Sequence, residues 1–241
     1  LLEVMMLDDG APRGSLRFDA DRVRRFTTLE PRVISIHHRL QPERTRVEAY
    51  LEARYAEAFQ GHIARHYPTL MSLQDRGGVI HGAVGFRFAA RAPLFLEHYL
   101  DRPVEAAVSE SQGVTVPRHA IAEIGNLASQ SAGASLFLFL ALANHLHHQG
   151  CTHAAATATR RLRRGFARVG FATQRLAQAS ASRIADGGAD WGTYYQNDPE
   201  VLAGPIAPAL PVLAHMLMTE PLETPEVWPR LHPALVSEVA Q

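Results

Sequence analysis

Apolar positions Val47, Tyr50, Leu51, Tyr55, Ala58 and Phe59 recur at three-to-four spacing, behind Pro42 and Glu43 and ahead of Gly61. One face of a helix repeats in that way, so the stretch reads as an amphipathic helix. Upstream, the β-branched run Val33-Ile34-Ser35-Ile36 predicts a short strand, while Ser15-Leu16-Arg17-Phe18 alternates within a mixed, charged opening. Residues 1–30 therefore read as a loose leader or an edge strand. Downstream, Leu70 to Leu73 and Val79 to Phe88 flank Asp75-Arg76-Gly77-Gly78, the pattern of two antiparallel strands joined by a Gly-rich hairpin.

Pro103 suits the first turn of a helix over Val104 to Glu110, and Pro117 separates Val114-Thr115-Val116 from the strand-like Ala120 to Leu127. Leu136 to Gln149 is too long and too uniformly apolar for an ordinary strand and reads as a buried helix stopped by Gly150. Ala- and Thr-rich Cys151 to Thr159 predicts a central strand, followed by a basic helix over Arg160 to Val169 that Gly170 closes. Strand, small-residue turn, helix, strand and helix make a βαβ pattern. From Phe171 the chain gives one more strand, the break Asp186-Gly187-Gly188, the aromatic Trp191-Gly192-Thr193-Tyr194-Tyr195 and a short apolar helix around Leu210 to Leu217. The expected organisation is an α/β (α+β) domain over residues 31–215, between the 1–30 segment and a C-terminal tail, 216–241, with no internal repeat.

With 46% apolar side chains in 241 residues, the chain can bury a sizeable core. Its 24 basic and 24 acidic residues cancel, which argues against nucleic acid as a partner. Every basic residue other than histidine is Arg and none is Lys, so Schiff-base and P-loop lysine chemistry is excluded. The single cysteine, Cys151, allows no intramolecular disulfide and no CxxC zinc pair, as expected of a reducing, cytoplasmic location. The first nine residues lack a basic leader and a small-residue cleavage site, so no signal peptide is expected. The apolar run Leu136 to Ala143 is far shorter than the roughly 20 residues that span a bilayer, so no integral membrane segment is expected. His145, His147, His148 and His153 lie near Cys151, but adjacent His147 and His148 cannot share one helix face, and no metal is expected.

The stretch richest in chemistry runs from Glu123 through Asn126, Leu127 and Ala128 to Gln130-Ser131-Ala132-Gly133-Ala134-Ser135. It carries a strand into a helix through small residues, whose backbone N–H groups can approach a pyrophosphate at the positive end of the helix dipole. Tight strand-to-helix packing uses the same residues.

Gln130-x-x-Gly133-x-Ser135 resembles the Q/RxxGxG/A signature with which GNAT-superfamily acyltransferases hold the coenzyme A pyrophosphate, Ser standing for the usual final Gly or Ala. Pro42-Glu43-Arg44, Val47-Glu48-x-Tyr50, Tyr67-Pro68-Thr69-Leu70, Leu94-Phe95-Leu96-Glu97-x-Tyr99-Leu100-Asp101, Glu123-Ile124-Gly125-Asn126-Leu127-Ala128 and Trp191-Gly192-x-Tyr194-Tyr195 resemble the thermostable hemolysin family over roughly residues 33–215. That family is named for a lytic phenotype, yet its pattern is similar to GNAT enzymes and more distantly to acyl-homoserine-lactone synthases. The resemblance implies a mixed, splayed central sheet flanked by helices, with an acyl-phosphopantetheine arm inserted in the gap and its thioester polarised by a backbone N–H.

A neutral amine attacking a thioester is served by a carboxylate base. By the resemblance Glu123 is the first choice, and a structural carboxylate in the sheet is its alternative. Asn126 stands where the lactone synthases usually carry arginine. Glu97 and Asp101 are second candidates for the base, or else a solvated acidic face. Tyr194 and Tyr195 offer a proton for the departing thiolate, or aromatic packing with a bonded hydroxyl. Phe166 stands where many acetyltransferases place the acidic Tyr. Arg163, with Arg160, Arg161, Arg164 and Arg168, suits a coenzyme A phosphate, an acyl carrier protein or plain helix solvation.

The implied function is transfer of an acyl group from a coenzyme A or acyl-carrier-protein thioester to a small amine-type acceptor, in signal or secondary-metabolite biosynthesis. A degenerate acyl-pantetheine or partner-binding module keeps the fold without turnover. A membrane-lytic hemolysin ranks last, because no signal peptide, long amphipathic or apolar segment or barrel-forming alternation is visible; no GxSxG hydrolase elbow is present either.

Overall fold

The computed structural model describes residues 1–130, 132–185, 187–217 and 231. Nine strands form one sheet: β1 (Leu2–Asp8), β2 (Ala11–Phe18), β3 (Val33–His37), β4 (Thr69–Gln74), β5 (Ile80–Phe88), β6 (Ile121–Ser129), β7 (His153–Ala158), β8 (Gln174–Gln178) and β9 (Glu200–Pro205). Their spatial order is β2-β1-β3-β4-β5-β6-β7-β9-β8, and only β1/β3 and β6/β7 run parallel. The helices are α1 (Ala20–Arg24), α2 (Arg44–Phe59), α3 (Val104–Gln112), α4 (Ala132–His148), α5 (Arg160–Arg168) and α6 (Ala209–Leu217). No helix among the described residues is long and apolar enough to cross a membrane.

α4 is the crossover between parallel β6 and β7, and it buries Phe137, Leu138, Leu140, Ala141, Leu142 and Leu146 against one sheet face. A side chain of that kind removed from water contributes roughly 1.5–3 kcal/mol. α5 and α6 add Phe166, Leu210 and Leu213 to the same core. On the opposite face α2 covers β4, β5 and β6 through Val47 and Leu51, and α3 packs with the strands beyond β7 through Val104 and Val108. The α2 helix ends at Gln60 in the left-handed region, with φ 54°, one residue before the expected Gly61.

Of the two expectations for the opening residues, the edge strand holds, with β2 at the edge of the sheet, and the loose leader does not. β1 and β2 form an antiparallel hairpin, and β1 adds to the sheet edge alongside β3. The expected hairpin is β4/β5 and the expected βαβ unit is β6-α4-β7. One detail differs from expectation: where a single strand was expected after Phe171 there are two, because Val201-Leu202-Ala203 forms β9, which inserts between β7 and β8. Of the 216–241 tail, residues 218–230 and 232–241 lie outside the described residues; Leu217 ends α6, where its carbonyl accepts from Asp19 N–H at 2.8 Å.

The decisive irregularity sits in β6. Ala83 and Gly85 of β5 face Ala128 and Gly125, so Asn126 and Leu127 together oppose Val84. Asn126 absorbs that extra residue with φ 47°, a left-handed conformation that Asn tolerates better than most side chains. Pairing of β6 with β7 runs from Ile121↔His153 to Ile124↔Ala156 and stops there, while β7 continues to Ala158 on β9 alone. Beyond Ile124 the two strands part.

Phe137, fully buried, meets the edge of the Phe18 ring at a centroid distance of 4.9 Å and so ties the N-terminal hairpin to the crossover helix. Phe137→Ala is expected to cost about 3–5 kcal/mol in urea unfolding. A loss under about 1 kcal/mol would show that the hairpin and α4 do not share one core.

Candidate functional site

The parted strands enclose a cleft of about 980 Å³. Ile124 to Gln130 form one wall, Ala156, Thr157 and Thr159 the other, and the C-terminal half of α2, the start of α4 and one side of α5 complete it. Past Ile124, the β6 edge that faced β7 has no strand partner among the described residues, so its backbone groups are left for whatever occupies the gap. Asn126 is 5% exposed, and its Oδ1 is buried with no hydrogen-bond partner; Thr157 Oγ1 across the gap is in the same condition. An unsatisfied buried polar atom costs about 1–3 kcal/mol. Two of them stand in the walls of one cleft.

Charge is sorted around this space. Arg54, Arg161, Arg164 and Arg168 line it against a single carboxylate, Glu57, which pairs with Arg54. Arg163, expected on the cofactor, faces the other way and is paired with Glu200 and Asp198. The helix period explains the difference, since Arg161, Arg164 and Arg168 recur at three and four on one face while Arg163 belongs with Arg160.

Of the expected phosphate turn, Leu127, Ala128, Gln130 and Ser135 line the cleft. Ser135 Oγ and Ser129 Oγ share a hydrogen bond of 2.6 Å that closes the turn. At Gly133 a Cβ would fall 2.2 Å from Thr27 Cβ, so packing alone already requires the missing side chain. The N-terminal segment thus lies against the turn, and its Phe26 reaches the cleft. Ala134 is buried, Ala132 begins α4, and Ser131 lies outside the described residues.

Glu123 does not open into the cleft. It is 1% exposed, its Oε2 and Oε1 accept from the N–H groups of Phe95 and Leu96 at 2.9 Å each, and Arg87 Nε stands 3.3 Å away. Burial pushes its carboxyl above the usual range, opposed by Arg87, those two amides and the Tyr67 hydroxyl that donates to it. Tyr67 is the residue that sequence reasoning missed as chemistry. Its side chain lies over Gly85 and Gly125, which face each other across β5 and β6; a Cβ on Gly125 would fall 2.3 Å from the Tyr67 hydroxyl. Paired glycines in adjacent strands were the available signal, because a ring can lie flat only where both side chains are missing. Gly125 also lines the cleft, so the Tyr67 hydroxyl and Glu123 lie directly behind its wall.

Glu97 sits apart from both. It accepts from Arg118 Nη1 and Nη2 at 2.8 Å each and from the N–H groups of Leu94 and Val104 at 2.8 and 3.0 Å. Those bonds clip the 3-10 turn Phe95–Tyr99 to the start of α3 and present Phe95 and Leu96 to Glu123. Asp101 pairs on the surface with Arg183 at 2.8 Å. Tyr194 lines the cleft, and its hydroxyl donates to the Thr157 carbonyl at 3.1 Å; burial raises its pKa well above the phenol value. Tyr195 shares a 2.7 Å bond with Tyr99. Phe166, where an acidic Tyr is usual, lines the cleft without a proton to give. Among the described residues, the only set of three His, Cys or carboxylate groups whose ligand atoms converge is Asp8, Asp9 and His38, on β1 and just beyond β3.

The family model for thermostable hemolysin matches residues 37–210. No curated protein matches the chain in sequence. Among solved structures, the AHL synthase LasI aligns with a TM-score of 0.53 at 14% identity over 78% of this chain and 96% of its own. BjaI, a CoA-dependent acyl-homoserine lactone synthase solved with SAM and isopentyl-CoA, aligns at 0.51 and 14% over 76% and 87%. FeeM, an N-acyl amino acid synthase from uncultured soil microbes, aligns at 0.50 and 15% over 74% and 97%. At these identities the likeness establishes a shared fold.

The Arg118 clip holds the Glu97 carboxyl down at about 2, from an ordinary value of 4.5. A depressed carboxyl stabilises the fold fully above its unfolded value and loses that contribution as pH falls through the folded one. Glu97→Gln is therefore expected to lower the unfolding midpoint at pH 7 and to flatten the decline between about pH 4.5 and 2. Identical pH profiles for the two proteins would contradict the clip.

Proposed function

The chain belongs to the thermostable hemolysin family, and from that premise we propose that it is an acyltransferase moving an acyl group from a phosphopantetheine thioester to a small amine. The donor is coenzyme A or an acyl carrier protein. The observation that carries this reading is the cleft between β6 and β7, with an unpaired strand edge and an unsatisfied Asn126 in its wall. An extended pantetheine arm has amides that can pair with such an edge as an added strand would. Arg161, Arg164 and Arg168 on the α5 side supply guanidinium groups for its phosphates, and the same basic face suits an acidic carrier protein.

The amine nitrogen attacks the thioester carbon, a C–N bond forms and the C–S bond breaks. The proton lost by nitrogen passes to Tyr67 as Tyr67 hands its own to Glu123, whose raised pKa favours taking it. The departing thiolate takes a proton from Tyr194, a phenol that burial keeps protonated. This leaves Glu123 protonated and Tyr194 as phenolate; return of the Glu123 proton through Tyr67 and water to Tyr194 restores both, and the net products are an amide and a free thiol. Backbone N–H groups on the open edge of β6 stabilise the oxyanion.

Thermal unfolding with coenzyme A, acetyl and long-chain acyl thioesters and acylated carrier protein tests the donor. A ligand at a hundred times its Kd adds about 2.7 kcal/mol to stability. We expect a thioester-dependent rise of the midpoint and release of free thiol on adding amines. Asn126→Gly keeps the left-handed backbone but removes the amide, so it should leave the free protein folded and reduce the shift. No shift and no thiol release with any donor would overturn the reading.

A further inference from the structure

A second cavity, of about 720 Å³, opens at the N-terminal end of α2. Its walls carry Arg39, Arg44, Arg65 and Arg87 against one carboxylate, Glu48. Arg44 is consumed internally: Nε donates to Glu48 at 2.7 Å, and its other nitrogens donate to the carbonyls of Tyr67, Pro68 and His37. Arg87 lies flat over the Tyr67 ring, 4.5 Å from its centroid, and pairs with Glu123. Arg39 and Arg65 have no carboxylate partner among the described residues. In a chain of zero net charge that leaves two uncompensated guanidinium groups at the mouth of one cavity.

The cavity has an acceptor as well as donors. His66 Nε2 meets Glu52 Oε1 at 2.9 Å, and Nδ1 is buried in the wall with no partner. With the Nε2 hydrogen on Glu52, Nδ1 can accept a hydrogen bond, from an amine for instance. Position matters equally. Tyr67 carries the Arg87 guanidinium of this cavity on its ring and sets its hydroxyl against Gly125 of the β6/β7 cleft, so one side chain separates the two spaces.

We propose that this arginine-lined cavity is the acceptor's subsite and takes a free amino acid, its carboxylate on Arg39 and Arg65 and its amine toward His66 and Tyr67. Guanidinium forks match a carboxylate in geometry as well as charge. The identity of the acceptor rests on the acyl-transfer reading, which needs a neutral amine; binding of the carboxylate does not.

The test is titration calorimetry of the full chain with the common amino acids one at a time, with their carboxamides and with O-phosphoethanolamine, alongside thiol release from acyl-coenzyme A. We expect at least one amino acid to bind, its carboxamide to bind at least tenfold more weakly, and the exposed double variant Arg39→Gln/Arg65→Gln to raise KM for that amino acid about tenfold. The donor-induced rise in midpoint should stay unchanged in that variant. Equal binding of acids and carboxamides, no binding of any amino acid, tighter binding of O-phosphoethanolamine, or an unaltered KM in the double variant would each overturn the subsite. Thiol release onto carboxamides as readily as onto amino acids overturns the subsite while leaving acyl transfer standing. Carboxylate-selective binding lost in the double variant, without thiol release from any donor, supports the anion site and overturns the acyl-transfer reading instead.

Discussion

The opening of the cleft coincides with one backbone torsion, the left-handed conformation of Asn126 in β6. Pairing of β6 with β7 runs for four residues and stops at Ile124, two positions before that bulge, where a regular strand could have gone on pairing toward Ala158. The crossover helix α4 then starts just past the end of β6. At the same position, Asn126 Oδ1 is buried without a partner. Stability is held elsewhere, in the apolar face of α4 and the aromatic contact that joins it to the N-terminal hairpin.

Two glycines extend the effect to the other sheet face. Gly85 and Gly125 leave a flat patch on which Tyr67 lies, and through that ring Arg87, Glu123 and the cleft become neighbours. Glu123 is caught between opposing forces, burial raising its pKa and two amides, an arginine and a phenol lowering it. Glu97 shows the opposite balance, since bidentate Arg118 outweighs a partial burial. Two carboxylates on adjoining segments thus have separate work: one anchors the turn, the other receives the amides that the anchored turn presents.

The βαβ unit was legible because local signals agreed: a strand pattern, small residues, a helix too apolar to be exposed and glycines at its ends. The N-terminal hairpin was legible only as the edge-strand alternative at Ser15–Phe18, and β9 was not, because β1 and β9 take their places from partners far along the chain, β3 for β1 and β7 for β9. In the site, the sequence pointed to Glu123, Asn126 and the turn to Ser135, but not to how they are used. Gly133 sits in a motif that reads as a phosphate contact or as packing, and the close approach of Thr27, which only the fold reveals, accounts for its missing side chain. The orientation of the arginines on α5 was within reach of helix periodicity. Tyr67 was not, since its importance arises from two glycines brought opposite each other by strand register.

The central claim, that the parted strands receive an acyl-pantetheine arm, is tested most directly by amide hydrogen exchange on the full chain with and without a non-reactive thioether analogue of a long-chain acyl-coenzyme A. The account predicts slower exchange in residues 125–129, where the β6 edge lacks a strand partner, together with the Ala156–Thr159 wall, and no change in the distant β1/β2 hairpin. Slowed exchange elsewhere, with 125–129 untouched, would contradict it.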